Sequence, residues 1–177
     1  ARRNRDGVVS GTAIVRAAVA PMHAEARVSS VQISQRLGGH LVDVLHVDGD
    51  WLRVRGADGY EGWMHRGYLD VAGTTEALPG RRLSLGCTVS DDAGRLRPLP
   101  LGAWVTRADA VSSGDAVDER AMPNVFPRDA ARIAETAVIR FAGAPYQWGG
   151  VSPWGADCSG FVQTVFWLHG IPLPRDA

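Results

Sequence analysis

The stretch "GADCSGFVQTVF", residues 155–166, decides the fold of the second half of the chain. It follows a glycine-rich loop and carries apolar residues at helical spacing, so it predicts a helix over residues 158–169. Asp157 is a favoured residue type for the cap before a first helical turn, and Gly170 is typical of a helix end. Cys158 therefore falls in the first turn of this predicted helix.

A cysteine at a helix start has two interpretations, a catalytic nucleophile or an inert small residue. The unpaired N–H groups and the helix dipole favour an anion there, and the thiolate is the reactive form of cysteine. The preceding loop "PYQWGGVSPWGAD" supplies glycines that let backbone approach a ligand, and aromatic residues suited to a cleft wall. Cys87, in "LSLGCTVS", is predicted to be a buried small hydrophobic residue.

Composition excludes several classes of function. The chain has 177 residues, of which 45% are hydrophobic and 21% charged, ordinary values for a globular protein. Nineteen basic and nineteen acidic residues cancel, so nothing indicates nucleic-acid binding. No apolar stretch approaches the roughly 18 residues of a membrane span. Two cysteines without a CxxC pair or zinc spacing predict neither a disulfide framework nor a metal site, and no cofactor is expected.

A further helix is predicted upstream, with Pro127 at its entry and Gly143 at its exit. Its apolar residues recur at the spacing of one helix face: Ala130, Ile133, Ala134, Ala137, Val138 and Phe141. The apolar face predicted for the later helix consists of Cys158, Phe161, Val162, Val165 and Leu168.

The front of the chain has the pattern of short strands and turns. Asp48-Gly49 and Asp58-Gly59 are hairpin signals, and Leu52 and Val54 alternate with more polar neighbours as in a half-buried strand. This pattern predicts a small β-barrel over residues 10–72.

Two flanking regions complete the predicted organisation. Residues 1–9 are predicted to form a disordered terminus. Residues 78–124 have a similar strand-and-turn pattern, with strands around 83–89 and 103–107, and are predicted to be a degenerate second copy of the barrel. Pro98 and Pro100 favour an edge or a loop within it.

The segments "PYQWGG", "DCSGFV" and "GIPLPRDA" occur in an order and spacing that resemble the NlpC-type family of papain-like bacterial cell-wall peptidases. The resemblance covers about residues 127–177, and the front barrel resembles a bacterial SH3-like domain. It implies an α+β fold, with one or two SH3-like barrels followed by the N-terminal helical part of a papain-like domain. The layout is similar to that of endopeptidases that cut γ-D-glutamyl-L-diamino acid bonds, so murein peptides are the expected partners.

The resemblance implies catalytic roles for two residues. Cys158 matches the family nucleophile, and Tyr146 matches a tyrosine whose hydroxyl helps to stabilise the oxyanion. Both roles suit acyl transfer, which needs a thiolate and donors directed at the developing negative charge. Trp148 belongs to the same cleft wall and is expected to contact substrate.

The resemblance also implies a substrate-binding set. Asp157 matches a residue that receives the free N-terminal amine of the substrate, and Glu25 and Tyr60 fall where the subfamily completes this amine site. Ser159 and Arg175 match positions that contact the D-Glu part of the substrate, and an arginine fork suits a carboxylate. Ala177 departs from the pattern, because the subfamily often has serine there, so one substrate contact is expected to be absent.

Each assignment has a plainer structural alternative. These alternatives are a helix cap for Asp157, a solvated loop charge for Glu25, a packed strand aromatic for Tyr60, core packing for Tyr146 and Trp148, and a surface charge in a turn for Arg175.

A cysteine peptidase also needs a base, which in the family is a histidine on a strand well downstream of the cysteine. His169 follows Cys158 on the same predicted helix but lies roughly 16 Å along its axis, too far for a hydrogen bond. The other four histidines lie in the front barrel and are predicted to be surface or structural residues: His23, His40, His46 and His65. For His65, the alternative is that it approaches the cleft. The chain is therefore expected to be a fragment that is inactive by itself.

Three functions stay open. The first is a murein-peptide cysteine endopeptidase, acting as the longer parent protein on peptides with a free N-terminal L-Ala. The second is a cell-wall peptide-binding module with an incomplete or inactive cysteine domain. The third is an acyltransferase or amidase on the same scaffold, since a fold does not determine a reaction. The sequence does not determine the preferred diamino acid, the compartment (cytoplasmic wall recycling or export) or the oligomeric state.

Overall fold

The computed structural model describes residues 2–3, 9–71, 80–106 and 109–176. Within these ranges the chain forms a first antiparallel sheet, a second smaller sheet and a helical unit that carries a short hairpin. Strands and helices are both present and largely segregated along the chain, as the predicted α+β class requires. The predicted disordered terminus over residues 1–9 lies mostly outside the described residues.

The first sheet contains eight strands, all paired antiparallel. In chain order they are β1 (Arg2–Arg3), β2 (Val9–Val15), β3 (Val19–His23), β4 (Gln32–Leu37), β5 (Leu41–Asp48), β6 (Trp51–Arg55), β7 (Glu61–His65) and β8 (Leu69–Asp70). Across the sheet the order is β1-β2-β5-β6-β7-β3-β4, and β8 also pairs with β2. Strand β4 is thus at the end of this order, where one of its sides is available to other parts of the chain.

Both predicted hairpins are confirmed. The β5–β6 pair closes around Gly49, whose φ of 55° is in the left-handed region that glycine adopts without strain. The β6–β7 pair closes around Gly59. Along β6, Leu52 and Val54 are buried while their neighbours are not, which confirms the predicted alternation.

The second sheet is built around one long strand. Its members are β9 (Arg82–Ser90), β10 (Leu96–Leu99), β11 (Trp104–Val105) and β12 (Ala110–Asp118), and β9 pairs with each of the other three. Pro98 lies in β10, which pairs only with β9, so its edge position is confirmed. Sequence patterning missed β12, because its glycine and serine content does not resemble a strand. Arg107, at the end of the strand predicted over residues 103–107, is outside the described residues.

The helical unit contains α1 (Met122–Val125), α2 (Ala130–Phe141) and α3 (Cys158–Leu168), with the hairpin β13 (Val151–Ser152) and β14 (Gly155–Ala156) before α3. Helix α2 begins three residues after the predicted entry at Pro127, because the side chain of Asp129 caps it by accepting from the N–H of Arg132. Helix α3 begins at the predicted residue and ends one residue earlier than predicted. Its predicted cap at Asp157 is confirmed.

The apolar stripe predicted for α2 is too wide. Phe141 is buried and Ile133 and Ala137 pack against the core, but Val138 is 69% exposed and Ala134 is exposed as well. The face predicted for α3 divides in the same way, since Val165 and Leu168 are buried while Cys158 and Val162 are exposed. Part of each predicted face is therefore left exposed by the residues that the structure describes.

Three apolar clusters hold the described residues together. The first lies inside the first sheet, and the second joins the second sheet to the helices through residues such as Leu83, Phe141 and Val165. The third joins all three parts, because Leu37 of β4 and Val151 of β13 pack with Val89. Cys87 belongs to this third cluster and is 5% exposed, so its predicted burial is confirmed. The second sheet thus connects the first sheet to the helical unit.

The two sheets and the helices follow one another along the chain. The first sheet ends at Asp70, the second spans residues 82–118, and the first helix of the last unit begins at Met122. Of the described helices, none is both long enough and apolar enough to cross a membrane.

Candidate active site around Cys158

Cys158 is the first residue of α3, and its thiol is free and exposed. The loop before it is packed tightly against the helix. A Cβ atom on Gly160 would lie 2.1 Å from the carbonyl oxygen of Gly150, and one on Gly150 would lie 2.3 Å from the carbonyl oxygen of Gly155. Glycine at these positions therefore lets three backbone segments meet beside the thiol.

A cleft with a volume of about 410 Å³ opens beside Cys158. Helix α2 forms one wall, through residues that include Val138 and Phe141, and Phe161 of α3 contributes another part. Tyr146 also lines this cleft, so the structure brings together the predicted nucleophile and the predicted oxyanion residue.

Tyr146 and Trp148 are not core residues. The side chain of Tyr146 is 69% exposed, and that of Trp148 is similarly exposed. The backbone of Tyr146 forms a parallel bridge with Ala156, which fixes the residue near the start of α3. The core-packing alternative for these two aromatic residues is therefore wrong.

The carboxylate of Asp157 is buried and accepts four hydrogen bonds. One oxygen accepts from the N–H of Gly160 at 2.7 Å and from the hydroxyl of Ser159 at 3.3 Å. The other accepts from the N–H of Gly149 at 2.8 Å and from the guanidinium of Arg175 at 2.6 Å. Asp157 is therefore a helix cap, as its alternative interpretation predicted, and it also joins the loop to Arg175.

The electrostatics of Asp157 follow from these contacts. Burial by itself would raise the pKa of the carboxyl, but the hydrogen bonds from Arg175, Gly160 and Gly149 and the nearby positive charge outweigh burial. The pKa of Asp157 is therefore held below its ordinary value, and the group is ionised at neutral pH.

Arg175 is buried, so its interpretation as a surface charge is wrong. Its guanidinium pairs with Asp157, donates to the hydroxyl of Ser159, and donates through Nε to the hydroxyl of Ser34 at 3.3 Å. The resemblance implied a direct contact with substrate, but in this arrangement all three nitrogen atoms of the guanidinium already have partners in the protein.

The first sheet contacts the site directly. Gln32 of β4 donates to the backbone carbonyl of Trp148 at 2.7 Å. Tyr60 donates through its hydroxyl to Asp176 at 2.8 Å, and burial and this bond raise the pKa of its hydroxyl. Tyr60 also packs against the core of the first sheet, as its alternative interpretation as a packed strand aromatic predicted, and its place in an amine site stays a prediction.

Glu25 lies in the turn after β3, with an exposed side chain that pairs with Arg27 at 3.0 Å. No hydrogen bond or ion pair within the described part of the chain joins it to the cleft beside Cys158. Its place in an amine site therefore stays a prediction.

The five histidines all have other partners. His169 is buried and bonds the backbone of Pro127 and the hydroxyl of Thr136. His65 accepts from the N–H of Gly67 and stacks edge-on against Trp51, which excludes its predicted alternative as a base in this conformation.

The remaining three histidines lie in the first sheet or its turns. His40 donates to the carbonyl of Gly102, and burial lowers its pKa from 6.5 to about 4. His23 bonds the carbonyl of Ser30, and His46 stacks edge-on against Trp63. Throughout the described ranges, no group of three or more His, Cys, Asp or Glu residues could hold a metal ion.

Sequence reasoning missed Gln32 and Ser34 as parts of the site. They lie in β4, more than 100 positions from the loop and from Arg175, and their residue types are common on solvated strands.

Residues 143–177 match the model of the NlpC/P60 family, and residues 18–70 match that of the Bacterial SH3 domain. A gamma-D-glutamyl-L-lysine dipeptidyl-peptidase from Bacillus cereus is 30% identical, over 81% of this chain and 52% of that protein. Dipeptidyl-peptidase 6 from Lysinibacillus sphaericus is 26% identical, over 93% of this chain and 72% of that protein.

A crystal structure of an NlpC/P60 family protein from Bacillus cereus superimposes with a TM-score of 0.71 at 18% identity, over 94% of this chain and 75% of that one. At this identity the likeness concerns the fold.

The chain thus carries a match to the bacterial SH3 domain and, after it, a match to the NlpC/P60 family, as its motifs predicted. More particularly, it is homologous to gamma-D-glutamyl-L-lysine dipeptidyl-peptidases. The family match is partial, and the chain spans about half the length of the Bacillus cereus relative, 52%.

Proposed function

We propose that these residues belong to a cysteine peptidase that cleaves γ-D-glutamyl-L-diamino acid bonds in murein peptides with a free N-terminal L-Ala. The observation that carries the proposal is the exposed thiol of Cys158 at the start of α3, in a cleft that Tyr146 shares. The name of the Bacillus cereus relative, a γ-D-glutamyl-L-lysine dipeptidyl-peptidase, supports the bond type.

The proposed reaction has two steps. The base takes the proton of the Cys158 thiol as the sulfur attacks the γ-carbonyl carbon of D-Glu, and the C–N bond to the diamino acid breaks as its nitrogen receives that proton from the base. Water then hydrolyses the thioester and releases the γ-carboxylate. The hydroxyl of Tyr146 and the first N–H groups of α3, which have no partner within a helix, stabilise the oxyanion in both steps.

The amine site is proposed to comprise Asp157, Glu25 and Tyr60. Acidic side chains suit an ammonium group, and Tyr60 is held at the junction between the first sheet and the last residues of the chain through Asp176. Because the Asp157 carboxylate already accepts four hydrogen bonds, Glu25 supplies most of the remaining acceptor capacity in this proposal. Ser159, which is half-buried beside Cys158, is proposed to contact D-Glu, and Trp148 to line the cleft.

The base is assigned to a residue outside these 177, since all five histidines are engaged elsewhere. The same observation favours a second candidate function, a cell-wall peptide-binding module that does not turn over substrate. We also propose that residues 78–124 are a degenerate second SH3-like barrel, which the antiparallel pairing around β9 supports.

A product analysis tests the function. The complete gene product is incubated with L-Ala-γ-D-Glu-L-Lys and with its N-acetylated form, and the products are identified by mass spectrometry. We expect L-Ala-D-Glu and free lysine from the first peptide, and at least about tenfold slower cleavage of the second, since loss of one ionic contact costs about 1.5–3 kcal/mol. Binding of the peptide without any cleavage would establish the binding-module function instead.

The amine site is tested with the variant Glu25→Gln. It should slow cleavage of the free-amine peptide more than that of the acetylated one. Glu135→Gln is the matched control, because Glu135 is also partly exposed and ion-paired with a neighbouring arginine, but lies on α2. Equal effects of Glu25→Gln on both peptides would remove Glu25 from the amine site.

A further inference from the structure

Arg175 connects three parts of the protein behind the nucleophile. Its side chain is 1% exposed, and its three nitrogen atoms bond Asp157 in the loop before α3, Ser159 in the first turn of α3, and Ser34 in β4. Ser34 is itself fully buried. Asp157 and Ser159 flank Cys158 in the sequence, so a single guanidinium holds both neighbours of the residue that carries the thiol.

The charge of Arg175 matters as much as its bonds. The Asp157 carboxylate precedes Cys158 directly, and its side chain is 9% exposed, so water screens it poorly. A negative charge at that position opposes the formation of a thiolate, unless a positive charge compensates it. The titratable side chains that line the cleft beside Cys158 are Tyr146 and Asp157, and Arg175 is the cation paired with Asp157.

Strand β4 holds the same region from the side of the first sheet. Gln32 and Ser34 both belong to β4, on either side of a register shift that pairs them with the adjacent residues His23 and Met22 of β3. Gln32 bonds the carbonyl of Trp148 in the loop, and Ser34 bonds Arg175. The orientation of the loop and that of Arg175 therefore both depend on β4.

We propose that Arg175 is a positioning residue, which fixes the Asp157 carboxylate and compensates its charge so that this charge does not oppose the reactivity of the Cys158 thiol, with β4 as its support. The proposal rests on the proposed function for its role in turnover. It replaces the direct substrate contact that the resemblance implied for Arg175, because the guanidinium is 1% exposed and bonds protein groups through all three of its nitrogen atoms.

The test measures the rate of Cys158 alkylation by iodoacetamide as a function of pH, with the modified peptide identified by mass spectrometry. This measurement needs no peptide cleavage, so it stands if the proposed function fails. In Arg175→Gln we expect the midpoint of the profile to move upward by about one pH unit, because the Asp157 charge loses its partner. Arg175→Lys, which keeps the charge, should restore most of the original midpoint.

Two further variants separate charge from fold. The double variant Arg175→Gln with Asp157→Asn removes both charges and should return the midpoint towards that of the original protein, even if it is less stable. Arg97→Gln is the matched control, because Arg97 also pairs with a buried carboxylate, that of Asp109, in the second sheet. It should lower stability without moving the midpoint.

The result that would overturn the proposal is an Arg175→Gln protein that is less stable but alkylated with the original midpoint, as in the Arg97 control. In the complete gene product, Arg175→Gln should lower kcat more than it raises KM. A rise in KM alone would instead restore the direct substrate contact and reject the positioning role.

Discussion

The side-chain amide of Gln32 donates a 2.7 Å hydrogen bond to the backbone carbonyl of Trp148, across 116 positions of sequence. The first sheet therefore reaches the loop that precedes the nucleophile candidate. The fit is close, since a Cβ atom on Gly149 would lie 3.0 Å from the side chain of Gln32. The bacterial SH3 domain is thus in direct contact with the Cys158 loop.

The first prediction concerns this contact. Gln32→Ala should increase hydrogen exchange at the amides of Gly149 and Gly150 about fivefold, because one hydrogen bond of about 1 kcal/mol is lost. Exchange measured by mass spectrometry on the loop peptide tests this. The control is Gln163→Ala, which removes the bonds from the middle of α3 to Asp58 and Leu173 and should leave the loop unchanged. Equal exchange in both variants would show that Gln32 does not hold the loop.

The second prediction compares two helix caps. Asp157→Ala should lower the free energy of unfolding by about 3–5 kcal/mol, because it leaves the buried guanidinium of Arg175 without its carboxylate. Asp129→Ala removes the cap of α2 in an exposed setting and should cost only about 1 kcal/mol. Urea unfolding of both proteins measures the difference. Similar losses would mean that the Asp157–Arg175 pair adds little beyond a cap.

The third prediction is a pH dependence from His40. Burial lowers its pKa from 6.5 to about 4, so between these values the unfolded chain binds the extra proton and stability rises with pH. The free energy of unfolding rises by at most about 3 kcal/mol over this range. This is an upper bound, because the His40 ring keeps some contact with water.

The measurement is urea unfolding at several pH values from 4 to 7. His40→Gln, whose amide can still donate to Gly102, should lose this part of the pH dependence, whereas His23→Gln should keep it. An unchanged pH dependence in the His40 variant would contradict the burial argument.

The fourth prediction concerns the oxyanion. Tyr146→Phe removes only a hydroxyl from an exposed side chain, so the fold should be unaffected, while kcat of the complete gene product should fall about 100-fold. Tyr68→Phe is the control, because Tyr68 is partly exposed and lies outside the site, and this variant should change neither the fold nor kcat. Retention of full kcat in the Tyr146 variant would leave the oxyanion to backbone donors alone.

Local features were predictable from the sequence. The turns at Gly49 and Gly59, the caps and ends of α3, and the burial of Cys87 all follow from residue types within a few positions of each other. The same holds for the motif around Cys158, which the family comparison confirms.

Features that depend on distant partners were not predictable in this way. Arg175 looks like a charge in a turn until its partners Asp157 and Ser34 are seen around it. Strand β12 was missed because its pairing with β9 outweighs its weak strand propensity. Conversely, Val138 fits an apolar helical stripe but is exposed, since periodicity does not tell how much of a stripe is covered.

The central claim is that Cys158 is the nucleophile of a peptidase, and a trapped intermediate tests it most directly. The complete gene product is mixed with L-Ala-γ-D-Glu-L-Lys, quenched in acid within milliseconds to seconds, and digested for mass spectrometry. The account predicts a thioester of L-Ala-D-Glu on the peptide that contains Cys158, and no adduct or cleavage with Cys158→Ala. Peptide cleavage at the original rate by the folded Cys158→Ala protein would contradict it.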